Sequence, residues 1–214
     1  MSGLSALSAT LVVASPALAG PTYENASGGS FTYYGQFNPA YLSVDDGFET
    51  TDEIVDNSHW NSRVGFYLRQ PYGENTFQFQ FETALGLRQS ASVSQTFTPD
   101  AVDWSRENLR FVDFSLAGGF GTIYAGQGSM ATDGVANLDL SGTAVVTYAG
   151  IPDTAGSFQF RTGDGALSGI AISDVFPDFD GGRRGRVRYD TPEFGGGFKG
   201  SVAYGTEILQ ADND

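Results

Sequence analysis

From Asn75 to Arg88 the chain alternates with a period of two: Phe77, Phe79, Phe81, Leu85 and Leu87 fall on one parity, Gln78, Gln80, Glu82 and Arg88 on the other. Successive side chains of a strand point to opposite faces, so this pattern predicts a β-strand with one apolar and one hydrogen-bonding face. The pattern recurs in 30–44, where Phe31, Tyr33, Phe37 and Tyr41 alternate with Thr32, Gln36 and Asn38. In 61–69, Val64, Phe66 and Leu68 alternate with Arg63, Tyr67 and Arg69. Segments 108–116, 121–127, 184–191 and 197–206 add two hairpin pairs, giving seven expected strands. A composition of 29 Gly, 17 Phe and 10 Tyr with 17% charged residues suits turns and pleated surfaces, and the fold class is all-β.

The connections alternate in length. Gln70–Glu74, Ala117–Phe120 and Pro192–Gly196 are short, whereas 45–58, 89–107 and 128–182 are long. Short turns at one end and long loops at the other are the arrangement of a transmembrane β-barrel. No stretch approaches the roughly 20 apolar residues of a spanning helix, so any membrane span must be made by strands. Residues 1–19 read as a signal peptide. An apolar run from Leu4 to Val13 precedes Ala17 and Ala19, which predict cleavage before Gly20, although no Lys or Arg precedes that run. Two other readings share the strand pattern: a smaller outer-membrane barrel acting as an adhesin or envelope anchor, and an exported glycan-binding β-sandwich. The sandwich requires Phe77, Phe79 and Phe81 to be buried against a second sheet.

Charge and residue counts exclude several functions. A net charge of -14 repels phosphate backbones, which speaks against nucleic-acid binding. The absence of cysteine removes disulfides, thiolate metal sites and thiol nucleophiles. His59 is the sole histidine and has no nucleophile near it in sequence. No calcium-loop pattern appears among the acidic residues. The expectation is a non-enzymatic protein without metal or cofactor.

Three stretches carry a family resemblance: Ser62-Arg63-Val64-Gly65-Phe66 leading into the Phe77 strand, Gly119-Phe120-Gly121-Thr122-Ile123-Tyr124 ending in Gly126, and Arg186-Val187-Arg188-Tyr189-Asp190-Thr191-Pro192 continuing to Phe194-Gly195. In their order and spacing, over roughly 28–208, the chain resembles the general diffusion porins of Gram-negative outer membranes and looks closest to those of alphaproteobacteria. The resemblance implies an outer-membrane barrel of 16 strands, homotrimeric, in contact with lipid and lipopolysaccharide, through which small hydrophilic solutes and ions diffuse passively. It implies that the third external loop, here 128–182, folds inward as a constriction, with 20–214 forming the N-terminal part of the barrel. Gly126-Gln127 stands where the family often has Gly-Arg. Pro192-Glu193-Phe194-Gly195-Gly196 is similar to a constriction-loop motif but lies between two strands, so it is placed in a turn. The odd count of seven strands and the acidic end at Asp212-Asn213-Asp214 suggest a fragment of a longer barrel.

Parity selects the candidate site. Arg63, Arg69, Arg88, Arg184, Arg186 and Arg188 share the polar face, and an arginine facing hydrocarbon at mid-depth would cost roughly 2–4 kcal/mol, so these six are expected to line the pore. Segment 128–182 holds seven Asp and one Arg, and Asp133, Asp139 and Asp153 are the expected acidic counterparts on the loop. Arg110 shares parity with Val112, Phe114 and Leu116 and is expected at headgroup level instead.

Overall fold

The structure is a computed structural model that describes residues 18–135, 150–177 and 181–210. Its strands are β1 (Leu18–Glu24), β2 (Ser30–Gln36), β3 (Pro39–Asp45), β4 (Thr50–Asp56), β5 (Arg63–Tyr72), β6 (Asn75–Ala84), β7 (Leu109–Gly118), β8 (Gly121–Ser129), β9 (Gln159–Arg161), β10 (Leu167–Ala171), β11 (Arg183–Asp190) and β12 (Ser201–Thr206). Eight of them form one antiparallel sheet in the order β1-β2-β5-β6-β7-β8-β11-β12, while β3-β4 and β9-β10 are separate hairpins. The seven expected strands therefore pair in chain order as a meander, and β1 is an eighth that the sequence pattern did not suggest. Its first residues, Leu18 and Ala19, pair with Gly35 and Tyr34.

Register fixes which residues share a face. Phe66 stands opposite Phe81, Leu68 opposite Phe79, and Phe79 in turn opposite Phe114. On one face a chain of ring contacts runs from Tyr23 through Phe31 and Phe66 to Phe79 and Phe114. Among the described residues no second sheet covers this face. Phe77, Phe114 and Val187 remain 43%, 47% and 59% exposed. The sandwich reading required Phe77, Phe79 and Phe81 to be buried against a second sheet; Phe77 is exposed and Phe79 and Phe81 are only half-buried, which argues against it.

Several expected boundaries move for identifiable reasons. The segment 30–44 is two strands, because the chain leaves the sheet after Gln36 and restarts at Pro39, which has no N–H to donate to a ladder. The expected loop 45–58 contains β4. The strand beginning at Asn75 ends at Ala84, since Gly86 takes a φ of 68°, and Leu87 and Arg88 lie beyond the sheet. Three consecutive left-handed glycines, Gly195 to Gly197, delay β12 to Ser201, and the Pro192–Gly196 motif sits in the turn between β11 and β12, as expected.

Short turns after β1, β5, β7 and β11 gather at one end of the sheet, and long loops after β2, β6 and β8 at the other. The buried apolar core lies at the loop end, not within the sheet. Leu42 and Val55 of the β3-β4 hairpin pack with Val93, Ala155 and Phe158, joined by Ala40, Val44 and Ile172. Ser157 donates through N and Oγ to the Ala91 carbonyl at 3.1 and 2.7 Å, and Gln95 bonds the Gln159 backbone at both its N–H and its carbonyl. Segment 150–177 thus docks on the first two long loops. Because Phe158 is only 2% exposed, Phe158→Ala should cost this loop cluster about 3–5 kcal/mol. Hydrogen exchange checks this: amides of 40–44 and 91–95 should lose protection while those of 77–81 do not.

Candidate functional site

The second face of the sheet is polar, and several of its charges are paired within the sheet. The register lines up Tyr67, Gln80, Asp113, Gly126 and Arg186 across five strands. Gly126 offers no side chain, so the Arg186 guanidinium extends over it and grips Asp113 from two strands away, Nη1 to Oδ1 at 2.7 Å and Nη2 to Oδ2 at 2.8 Å. Glycine is required twice here. Gly126 has a φ of 129°, and a Cβ on Gly128 would lie 2.7 Å from Arg186 Nη2. Arg186 also donates from Nε to the Ser129 carbonyl at 2.9 Å and lies over the Tyr124 ring. Two residues on, Arg188 makes a bidentate pair with Asp190 at 2.7 and 3.0 Å, donates to the Met130 carbonyl at 2.9 Å and shares the same Tyr124 ring.

A second cluster centres on Glu82. Tyr34 donates its hydroxyl to Glu82 Oε2 at 2.8 Å, Arg110 donates from Nε to Oε1, and Arg63 Nε stands 3.7 Å from Oε2. Gln80 bridges the hydroxyls of Tyr34 and Tyr67. The expectation for Arg110 is corrected by the register. Glu82 pairs with Phe111 and Thr83 with Leu109, leaving Arg110 as the extra residue of a β-bulge. A bulge re-aims its side chain, and strict alternation fails at that one position. Arg183 also reaches this side, 4.0 Å from Asp133 and over the Phe111 ring.

Of the arginines expected on this face, Arg63, Arg69, Arg186 and Arg188 stand on it, Arg69 donating to Gln78 at 2.6 Å toward the short-turn end. Arg184 has the same parity but turns to Glu207 at 3.1 Å. Arg88 is set apart from the sheet. It donates to Glu53 at 2.6 Å and to the Pro99 carbonyl at 2.7 Å, tying two loops together. Of the loop acids, Asp133 comes to Arg183 and Asp153 lies 3.5 Å from His59 Nδ1, while Asp139 lies outside the described residues. The expected partners of the arginine trio were loop carboxylates, yet Arg186 and Arg188 are held by Asp113 and Asp190 of the sheet itself. Asp113 was legible as a charged residue on the polar parity of an otherwise apolar strand; Arg110 was not, because a bulge leaves no mark on the alternation.

The loops carry their own electrostatics. Arg161 pairs with Asp46 at 2.7 Å and with Glu49. Burial alone pushes the Asp46 carboxyl up, but the Glu49 and Phe48 N–H groups, the Arg161 guanidinium and the Gln95 amide together hold it down to about 2. His59 bonds Thr154 Oγ1 at 2.9 Å, and burial lowers its pKa from the usual histidine range against the pull of Asp153. Among the described residues no cluster of His, Cys, Asp and Glu could hold a metal ion.

Compared with known protein families, residues 3–213 match the family model of Gram-negative porins. The chain belongs to the Gram-negative porin family. No curated protein and no solved structure matches the sequence. Membership in the family points to the outer membrane and to a channel, not an enzyme. In this porin the Arg186–Asp113 pair has the most buried charged side chains of the polar face, 2% and 6% exposed. Removing one member of a buried pair costs about 3–5 kcal/mol because the other charge is stranded, whereas replacing both is much cheaper. Asp113→Asn should therefore destabilise more than the double variant Asp113→Leu, Arg186→Met. Denaturant unfolding of the refolded porin measures the difference, and equal losses would show that the pair is not a coupled unit.

Proposed function

We propose that the polar face lines a water-filled channel for passive diffusion of small polar solutes and ions, and that the apolar face meets outer-membrane lipid and lipopolysaccharide. The observation that carries this reading is the contrast between the two faces. An eight-stranded sheet leaves its phenylalanines uncovered while its opposite face places Arg63, Arg110, Arg186 and Arg188 against carboxylates. In water that contrast would be inverted, because exposed apolar patches are kept small and charges stay outside. In a membrane with an aqueous lumen it is the stable arrangement.

The edges of β1 and β12 are each paired on one side only, and unpaired strand edges are not tolerated in hydrocarbon. A closed barrel, of 16 strands on the family resemblance and of the alphaproteobacterial type, supplies their partners, and a homotrimer of such barrels is the expected assembly. An inward third long loop that narrows the lumen is supported by its first residues, where the Met130 carbonyl accepts from Arg188 and Asp133 approaches Arg183. Guanidinium groups on the wall and a carboxylate on the loop create a transverse field that orients dipolar solutes.

Selectivity tests this reading. Arg186 is left in place, since its removal would strand Asp113. Replacing Arg184 and Arg188 by Ser in the complete protein should raise cation preference at low salt, because Glu207 and Asp190 lose their counter-charges, and Asp133→Asn should lower it. Both effects should fade near 1 M KCl, where the screening length is only about 3 Å. Reversal potentials under a KCl gradient in planar bilayers measure this. Selectivity identical to the parent in both variants would mean that this face does not line the conduction path.

A further inference from the structure

Two of the stretches that carry the family resemblance place a glycine on the polar parity, Gly65 in β5 and Gly126 in β8. Register sets each between two polar partners. Tyr34 of β2 pairs with Gly65, which pairs with Glu82 of β6, and Arg186 of β11 pairs with Gly126, which pairs with Asp113 of β7. In both rows the outer side chain reaches past the glycine to the carboxylate two strands away. Tyr34 Oη donates to Glu82 Oε2 at 2.8 Å, as Arg186 donates to Asp113 at 2.7 and 2.8 Å. Among the described residues the same crossing thus occurs twice.

Side chains of a strand ordinarily stand roughly perpendicular to the sheet. To span two strand spacings, about 9–10 Å in all, a side chain must instead lie along the surface, and a Cβ on the middle strand stands in its way. At Gly65 the obstruction is explicit. A Cβ there would lie 2.6 Å from both Cζ and Oη of Tyr34. The Tyr34 ring therefore lies over bare backbone, stacked against Tyr67 at 4.9 Å, and its hydroxyl also accepts from Gln80 at 3.0 Å. Only 9% of Tyr34 is exposed, although it belongs to the polar face.

Resting on the channel reading above, we infer that Gly65 is a positioning residue for conduction, the counterpart in β5 of Gly126 in β8. It lets the Tyr34 ring be laid down against the wall instead of standing in the lumen, and so sets the free width of the channel at that level. The level is a narrow one. Glu82, which Tyr34 reaches, also holds Arg110, and Arg110 lines one hollow with Arg183, which faces Asp133 of the third long loop. A ring raised at this point would occupy space that the approach of the loop already restricts.

Single-channel conductance of the complete protein in planar bilayers tests the assignment. Gly65→Ala should lose conductance, because the Tyr34 ring is turned up into the lumen. A Cβ at Gly65 would also lie 2.6 Å from the Phe81 carbonyl oxygen, so the backbone shifts as well. The double variant Gly65→Ala, Tyr34→Ala keeps that shift and removes the ring, and its conductance should return to that of the parent. Tyr34→Ala alone should match the parent, since a ring laid in the wall has little lumen to vacate. Parent conductance in Gly65→Ala, a double variant as low as the single one, or a clear rise in Tyr34→Ala would each overturn the assignment. Where Gly65→Ala gives no channels, Tyr34→Ala decides by the same criterion. A parent that conducts no ions would overturn the channel reading itself, which separates that failure from the loss of this role for Gly65.

Discussion

The unbroken ladder from β1 to β12 is the condition on which everything else in the molecule rests. Backbone amides of strands as long as ten residues are paired with neighbours on both sides across six of the eight strands. Only with that pairing complete can side chains divide by parity without regard to the needs of the backbone. A slip of one residue between β5 and β6 would turn Phe77, Phe79 and Phe81 to the polar side and Glu82 to the apolar side. Pairing of Phe66 with Phe81 and of Tyr67 with Gln80 opposes that slip on both faces at once.

Charge is distributed to match. Arg63, Arg110, Arg186 and Arg188 do not wait for a loop to neutralise them, since Glu82, Asp113 and Asp190 are built into the sheet. This arrangement holds the guanidinium groups of Arg110, Arg186 and Arg188 in fixed directions. Much of the acidic excess of the described residues lies outside the sheet, with Asp45, Asp46, Glu49, Asp52 and Glu53 in the β3-β4 hairpin. The hairpin and segment 150–177 share a small apolar core, cross-tied by Arg88 to Glu53 and Arg161 to Asp46. The acidic hairpin therefore sits at one end of a sheet face rich in arginine.

How much of this was legible in the sequence depended on whether a feature repeats. Alternation repeats, so the meander and the two faces could be read from Phe77, Phe79 and Phe81 against Gln78, Gln80 and Glu82. Single-residue events do not repeat. The bulge at Arg110, the exit at Pro39 and the left-handed Gly86 each changed where a strand ends or where an arginine points, and Arg88 left the wall for that reason. Partner choice was also hidden. Parity placed Arg186 on the polar face, but that it would cross Gly126 to reach Asp113 depends on the register between β7, β8 and β11, which no single segment encodes. The core of the loop cluster joins Leu42, Val93 and Phe158, residues far apart in the chain with no shared periodicity.

The central claim is that one face of the sheet meets lipid and the other meets water. The chain contains no cysteine, so single cysteines placed along β6 report without background. With the complete protein in bilayers, a small membrane-impermeant thiol reagent should modify Gln78→Cys, Gln80→Cys and Thr76→Cys, and spare Phe77→Cys, Phe79→Cys and Phe81→Cys. Labelling that fails to alternate, or that favours the phenylalanine positions, would contradict the account.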